Sequence, residues 1–243
     1  MSRLFTFGCS FTKYYYPTWA DILGQTFTES YNCGKLGSGN QLIAHRVMDA
    51  NLQKKFTKDD TIIIMWSNFF RNDLYKEQDW QTKGNIFFYD NTIQTEDLPY
   101  WIYRDCTTIK SILLALKNTG AKVISTSIND PYKDKTLLQY DKVKHILEMF
   151  KEYVTPQTIT IQEHCWYPNI EKDKTRPQVL INGLWTIEDH PLPLEHLNWL
   201  EEALDFSTDV QTQEFVQDAH KRIMENKNYD TIFEAGRTIK WTL

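Results

Sequence analysis

Residues 61–65, Thr-Ile-Ile-Ile-Met, form a nearly unbroken apolar run bounded by charged Asp59 and Asp60 before it and by polar Ser67 and Asn68 after it. A strand turns successive side chains to opposite faces, so it stays apolar throughout only where both faces are covered, as at the centre of a parallel sheet. Helices must then lie on both sides. The rest of the chain supplies them in alternation: residues 3–7, 28–32, 121–126 and 158–162 read as further strands, and residues 17–25, 41–54, 97–118, 137–153 and 192–204 carry helical periodicity. Pro17 suits a first helical turn, and Gly120 suits a cap after the helix that ends near Asn118. This order predicts an α/β fold, a three-layer α/β/α sandwich around a mostly parallel sheet of about five strands.

The expected main domain spans residues 1–205. Within it, residues 74–98 are polar, aromatic and weakly periodic, with Trp80, Phe87, Phe88 and Tyr89, and read as an insertion that shapes a pocket at the ligand edge. Residues 206–243 hold a polar helix near 210–226 and the ending Thr238-Ile239-Lys240-Trp241-Thr242-Leu243. This helical tail is suited to packing as an add-on, to forming a homo-oligomer, or to attachment to a larger assembly.

Composition excludes several functions. The 243 residues suffice for a buried core, and a net charge of −5 without any basic cluster argues against nucleic acid as a partner. No run approaches 18 apolar residues and no charged-then-apolar leader opens the chain, so a protein soluble where it is made, with no membrane partner, is expected; if it acts outside a cell, lysis or a particle carries it there. The cysteines Cys9, Cys33, Cys106 and Cys165 form no C-x-x-C pair, and His45, His145 and His220 make no ligand spacing. No metal and no cofactor are therefore expected. Free thiols are the expected state, with a Cys9–Cys33 disulfide as the alternative. The loop Gly34-x-x-Gly37-x-Gly39 lacks the lysine and serine of a phosphate loop and the spacing of a dinucleotide-binding turn.

The chemistry points to Phe7-Gly8-Cys9-Ser10-Phe11-Thr12, where the first strand ends at a glycine. A serine at such a corner sits at the carboxyl end of a strand, the edge where ligands of open α/β sheets gather, and the turn can offer backbone N–H groups to a developing oxyanion. Ser10 is the candidate nucleophile. The strand at 61–65 carries Trp66, Asn68 and Arg71 out at its own carboxyl end; Arg71 is suited to a substrate carboxylate or hydroxyl group, or to an ion pair with Asp73. Aromatic residues, 14% of the chain, suit stacking on sugar faces as well as core and interface packing.

Four short blocks, in order, resemble the SGNH (GDSL-like) hydrolase superfamily: Gly8-Cys9-Ser10, the Asn32 to Asn40 loop, Trp66-Ser67-Asn68-Phe69, and Glu188-Asp189-His190-Pro191. The resemblance implies the flavodoxin-like hydrolase fold, Ser10 as nucleophile and His190 as general base. It also implies an oxyanion hole made by Ser10, Gly37 and Asn68. Departures accompany the matches: Cys9 stands for the usual aspartate, Trp66 for a glycine, Phe69 for an aspartate, and Ile187 for the acid three residues before the histidine. A serine–histidine pair works best with a carboxylate on the far imidazole nitrogen, for which Glu188 and Asp189 are both candidates. His164 is a rival base without the acid-then-proline pattern. Residues 9–23, 66–71 and 190–200 are also similar to SGNH-like proteins of bacteriophages. The implied activity is a serine esterase acting on small acyl esters, O-acetylated carbohydrate foremost, with Trp66 and Arg71 as substrate-binding residues. The alternative is a weakly active or inactive structural or binding component of a phage particle.

Overall fold

The computed structural model describes residues 2–85, 95–165, 175–181 and 184–225. Phe87, Phe88 and Tyr89 of the insertion, Trp166 and Tyr167, and the ending at 238–243 lie outside the described residues. The central sheet contains β1 (Arg3–Phe7), β2 (Glu29–Asn32), β3 (Asp60–Trp66) and β6 (Lys122–Ser127), parallel throughout in the order β2-β1-β3-β6. Two antiparallel hairpins stand apart from it, β4 (Arg71–Lys76) with β5 (Asp79–Asn85), and β7 (Gln178–Ile181) with β8 (Leu184–Ile187).

Alternation along the strands sorts the core into two halves. Phe5, Phe7, Ile62, Ile64 and Trp66 face α2 (Asn40–Lys54), α3 (Leu98–Lys117) and α4 (Asp141–Met149), meeting Ile43, Val47, Ile102, Ile109 and Leu147. Leu4, Ile63 and Met65 face the other way, toward Trp19 and Ile22 of α1 (Trp19–Gly24) and Trp199 and Leu200 of α7 (Pro193–Leu204). The three-layer α/β/α arrangement follows. Ile62, Ile63, Ile64 and Met65 are each at most 1% exposed, and full burial of such side chains contributes about 1.5–3 kcal/mol apiece. The final described helix, α8 (Val210–Glu225), adds Val216 to the second cluster and Ile223 to a small one with Tyr16 and Leu192, so this part of the tail packs on the same core.

The fifth strand expected at 158–162 is absent. Gln157 donates its N–H to Ser125 on β6, yet Ile161–Cys165 is helical (α6), after the short α5 (Lys151–Val154). The physical reason is a capping box: Thr160 N–H donates to Glu163, and Glu163 N–H returns to Thr160 Oγ1. The insertion expected from residue 74 begins earlier, as the β4–β5 hairpin. All four cysteines are free thiols. No described helix is long and apolar enough to cross a membrane.

Candidate active site

The loop after β1 needs glycine at position 8, because a Cβ there would lie 2.0 Å from Thr12 Oγ1 and 3.0 Å from the carbonyl oxygen of Met65. With that space closed, Cys9 O accepts the N–H groups of Thr12 and Lys13 and folds the chain into a tight turn. Ser10 sits on this turn, and Cys9 is buried in the core beneath it. His190 lies between the end of β8 and the start of α7, and its Nε2 is 2.9 Å from Ser10 Oγ. Ser10 and His190, 180 residues apart in sequence, thus share a hydrogen bond.

Two carboxylates face the far imidazole nitrogen. Glu188 Oε1 is 2.8 Å from His190 Nδ1 and also accepts the backbone N–H of His190 at 2.9 Å. Asp189 Oδ1 is 3.2 Å from the same nitrogen. Their surroundings differ: the Glu188 side chain is 1% exposed and that of Asp189 is 65% exposed. Burial alone would lower the imidazole pKa, but the hydrogen bonds to Asp189 and Glu188 outweigh it and raise it to about 9. In return, His190 holds the Asp189 carboxyl below its usual range.

The other predicted residues divide. Ser10, Gly37 and Asn68 follow β1, β2 and β3, three adjacent strands, and stand at the same carboxyl edge of the sheet. Gly37 has φ +76°, the left-handed region that favours glycine, and it lies under the β4–β5 hairpin, where a Cβ would meet Thr82 Oγ1 at 3.0 Å. Asn68 accepts the N–H of Phe70 on its side-chain oxygen, which leaves the amide nitrogen as its donor. Among the described residues, neither that nitrogen nor the N–H groups of Ser10 and Gly37 find a protein acceptor.

Trp66 is corrected. It is 3% exposed within the core and its Nε1 donates to Ser125 Oγ on β6, so no face is left for a ligand; the large ring extends the apolar layer under α2 and α3. Arg71 is half-buried and donates to the carbonyl of Ser38 at 3.3 Å. That contact holds the Gly37 loop. Asp73 accepts the N–H groups of Gly39 and Leu42 and so caps α2 from a neighbouring strand. His164 pairs through Nδ1 with Glu202 at 2.7 Å, away from Ser10.

Three supporting residues were not readable as such. Arg176, 5% exposed, donates from Nε to the Glu188 carbonyl and from a terminal nitrogen to the His190 carbonyl, each at 2.8 Å, while pairing with Glu195 at 2.7 Å. Glu195 also accepts Leu192 N–H at the start of α7. One guanidinium therefore fixes the loop on both sides of the imidazole. Asn40, fully buried, accepts the N–H of Ser67 and donates to Asp105, joining the loop after β3 to α2 and α3. Tyr14, four residues after Ser10, touches both His190 and Glu188. Tyr14 belongs to the run Tyr14-Tyr15-Tyr16 and Asn40 closes the Asn32 to Asn40 block, whereas Arg176 carries no sequence signal.

No protein-family model matches the chain, and no curated protein does. Solved structures similar to it include three lipolytic proteins of the GDSL type. One from Desulfitobacterium hafniense is 17% identical with a TM-score of 0.39, over 69% of this chain and 81% of its own. One from Veillonella parvula is 15% identical with a TM-score of 0.46, over 86% and 100% respectively. A GDSL-like lipase from Bacteroides thetaiotaomicron is 13% identical with a TM-score of 0.42, over 90% and 88%. Likeness at this level does not reach chemistry, which rests on the groups around Ser10.

Proposed function

We propose that the chain is a serine hydrolase of SGNH type that cleaves small acyl esters through an acyl-enzyme on Ser10. The observation that carries this reading is the chain of contacts from Ser10 Oγ to His190 Nε2 at 2.9 Å and from His190 Nδ1 to Glu188 at 2.8 Å. With the imidazole neutral and its proton on Nδ1, Nε2 accepts the proton of Ser10 as Oγ bonds to the ester carbonyl carbon. The carbonyl electrons move onto oxygen, where Ser10 N–H, Gly37 N–H and the Asn68 amide receive the charge; losing one such donor typically lowers turnover by about 10²–10³. The tetrahedral adduct then collapses, the imidazolium gives its proton to the departing alkoxide, and water repeats the sequence to release the acid. Because only neutral His190 can accept the proton, kcat/KM rises about tenfold per pH unit up to about pH 9 and then levels.

The finer part of the proposal is an O-acetyl group on carbohydrate as the substrate. Its support is the sequence resemblance together with the half-buried aromatic side chain of Tyr14 beside the base, its ring centroid 4.1 Å from that of His190. The competing reading, a weakly active or inactive structural or binding component of a phage particle, is best served by a separated pair, and a 2.9 Å contact counts against it. Mass spectrometry after exposure to a fluorophosphonate tests the chemistry. Labelling on Ser10 that disappears in Ser10→Ala and His190→Ala supports a hydrolase, and acetate release from acetylated oligosaccharides then tests the substrate. Folded wild type that stays unlabelled up to about pH 10, above the His190 midpoint, overturns it.

A further inference from the structure

We propose that Tyr14 is a positioning residue that locks the base and its acid to the loop carrying the nucleophile. The proposal rests on Ser10 and His190 being the reacting pair. Two contacts of different kinds join Tyr14 to the base and its acid. Its ring stacks on the imidazole, with centroids 4.1 Å apart and planes 21° from parallel, and its hydroxyl donates to Glu188 Oε2 at 3.1 Å. Glu188 thereby uses one carboxylate oxygen for His190 and the other for Tyr14. Since Tyr14 and Ser10 share one loop, a single side chain sets the position of the imidazole relative to the hydroxyl it must deprotonate.

The two contacts act on the imidazole in opposite senses. A hydroxyl donating to Glu188 stabilises that carboxylate and weakens its hold on the imidazolium; removing the hydroxyl strengthens the hold and raises the basicity of His190. An electron-rich ring face favours the imidazolium, so removing the ring lowers its basicity. Removing the hydroxyl keeps the packing of the Tyr14 ring on Tyr15 and Tyr16, each 4.9 Å away between centroids, whereas removing the ring also removes that packing; the other groups facing His190 are not themselves altered. They are Ser10 and Phe11 from the same loop, Asp189 beside Glu188, Arg176 and Tyr16 on its carbonyl, and buried His196 from α7, which senses its charge.

Tyr14→Phe and Tyr14→Leu separate the two contacts. The experiment is an NMR titration of the His190 imidazole together with rates of fluorophosphonate labelling of Ser10 from about pH 6 to about pH 10, on wild type and both variants. For Tyr14→Phe the midpoint rises by about half a unit to one unit, labelling at pH 7 falls about three- to tenfold, and the alkaline plateau stays within about twofold. For Tyr14→Leu the midpoint falls and the plateau drops about tenfold, because the imidazole is no longer held against the serine. Midpoints and plateaus equal to wild type in both variants overturn the proposal, as do midpoints moving in the same direction. The titration needs no turnover, so a wild type that titrates but never labels sinks the hydrolase reading separately. Should the leucine variant fail to fold, the phenylalanine variant decides by its midpoint alone.

Discussion

Glu188, rather than Asp189, is expected to be the acid of the relay, and exchanging each for its amide measures the difference. At about 4 Å between charges, an ion pair contributes about 4 kcal/mol at an effective dielectric of about 20 and about 1 kcal/mol in water. Glu188, 1% exposed, belongs to the first regime, whereas Asp189, with a side chain 65% exposed, belongs to the second. Through the imidazolium formed in the transition state, these energies translate into losses of about 10³-fold for Glu188→Gln and about fivefold for Asp189→Asn. Glu188→Gln has a second consequence. Its amide can donate to Nδ1 and place the remaining proton on Nε2, the tautomer that cannot accept from Ser10, which carries the loss toward about 10⁴. The midpoint of the pH profile should also fall by about two units or more in Glu188→Gln, since burial then acts with less opposition, and by under about one unit in Asp189→Asn. The assay is kcat/KM on a chromogenic acetate ester across pH, repeated at high salt, where the Asp189 effect should shrink and the Glu188 effect persist. A larger loss in Asp189→Asn than in Glu188→Gln refutes the reasoning from burial.

Other outcomes follow from the buried groups around the site. Arg176→Met removes the ion-pair partner of Glu195 and one donor from each of two backbone carbonyls, and denaturant unfolding should show a loss of about 3–5 kcal/mol. Asn40→Ala removes the acceptor of Ser67 N–H beside Asn68, so kcat should fall about tenfold or more with little change in KM. His196 is buried, its Nδ1 has no hydrogen-bond partner among the described residues, and burial, aided by the charge of His190, depresses its pKa to about 3. In the unfolded chain it protonates near pH 6.5 while the folded protein keeps it neutral, so stability is lost at about 1.4 kcal/mol per pH unit from there down to about pH 3. His196→Leu should therefore move the acid-unfolding midpoint to lower pH; an unchanged midpoint excludes His196 as the cause.

The central strands and principal helices were legible because each answers to a local rule. β3 is apolar on both faces and lies in the middle of the sheet, and α3 ends at Lys117, three residues before the glycine that was expected to follow it. The failures have equally local causes. Residues 158–162 have the β-branched alternation of a strand, but Thr160-Ile161-Gln162-Glu163 also carries the capping-box spacing, and the helix prevails. The β4–β5 hairpin was hidden because Glu77 and Gln78 take left-handed φ values of 52° and 65° at its turn, where asparagine and glycine would have announced it.

The site was legible only in part, and the division follows sequence distance. Ser10, Gly37 and Asn68 could be located because each lies just past a recognisable strand, and the parallel order β2-β1-β3 brings such loops to one edge. The acid was open between Glu188 and Asp189, because an extended segment turns residues two apart to one side, which favours Glu188, while a turn before Pro191 favours Asp189. Trp66 misled because carboxyl-end residues often face ligand, yet the strand's alternation puts it in phase with Ile62 and Ile64, on the face that α2 and α3 cover. Arg176 had no such local signature. It acts through backbone carbonyls 12 and 14 residues further on, and hydrogen bonds to carbonyls place no demand on the identity of the residues that own them. A side chain that positions a loop by its backbone leaves no pattern in that loop, and it is found only when the chain is folded.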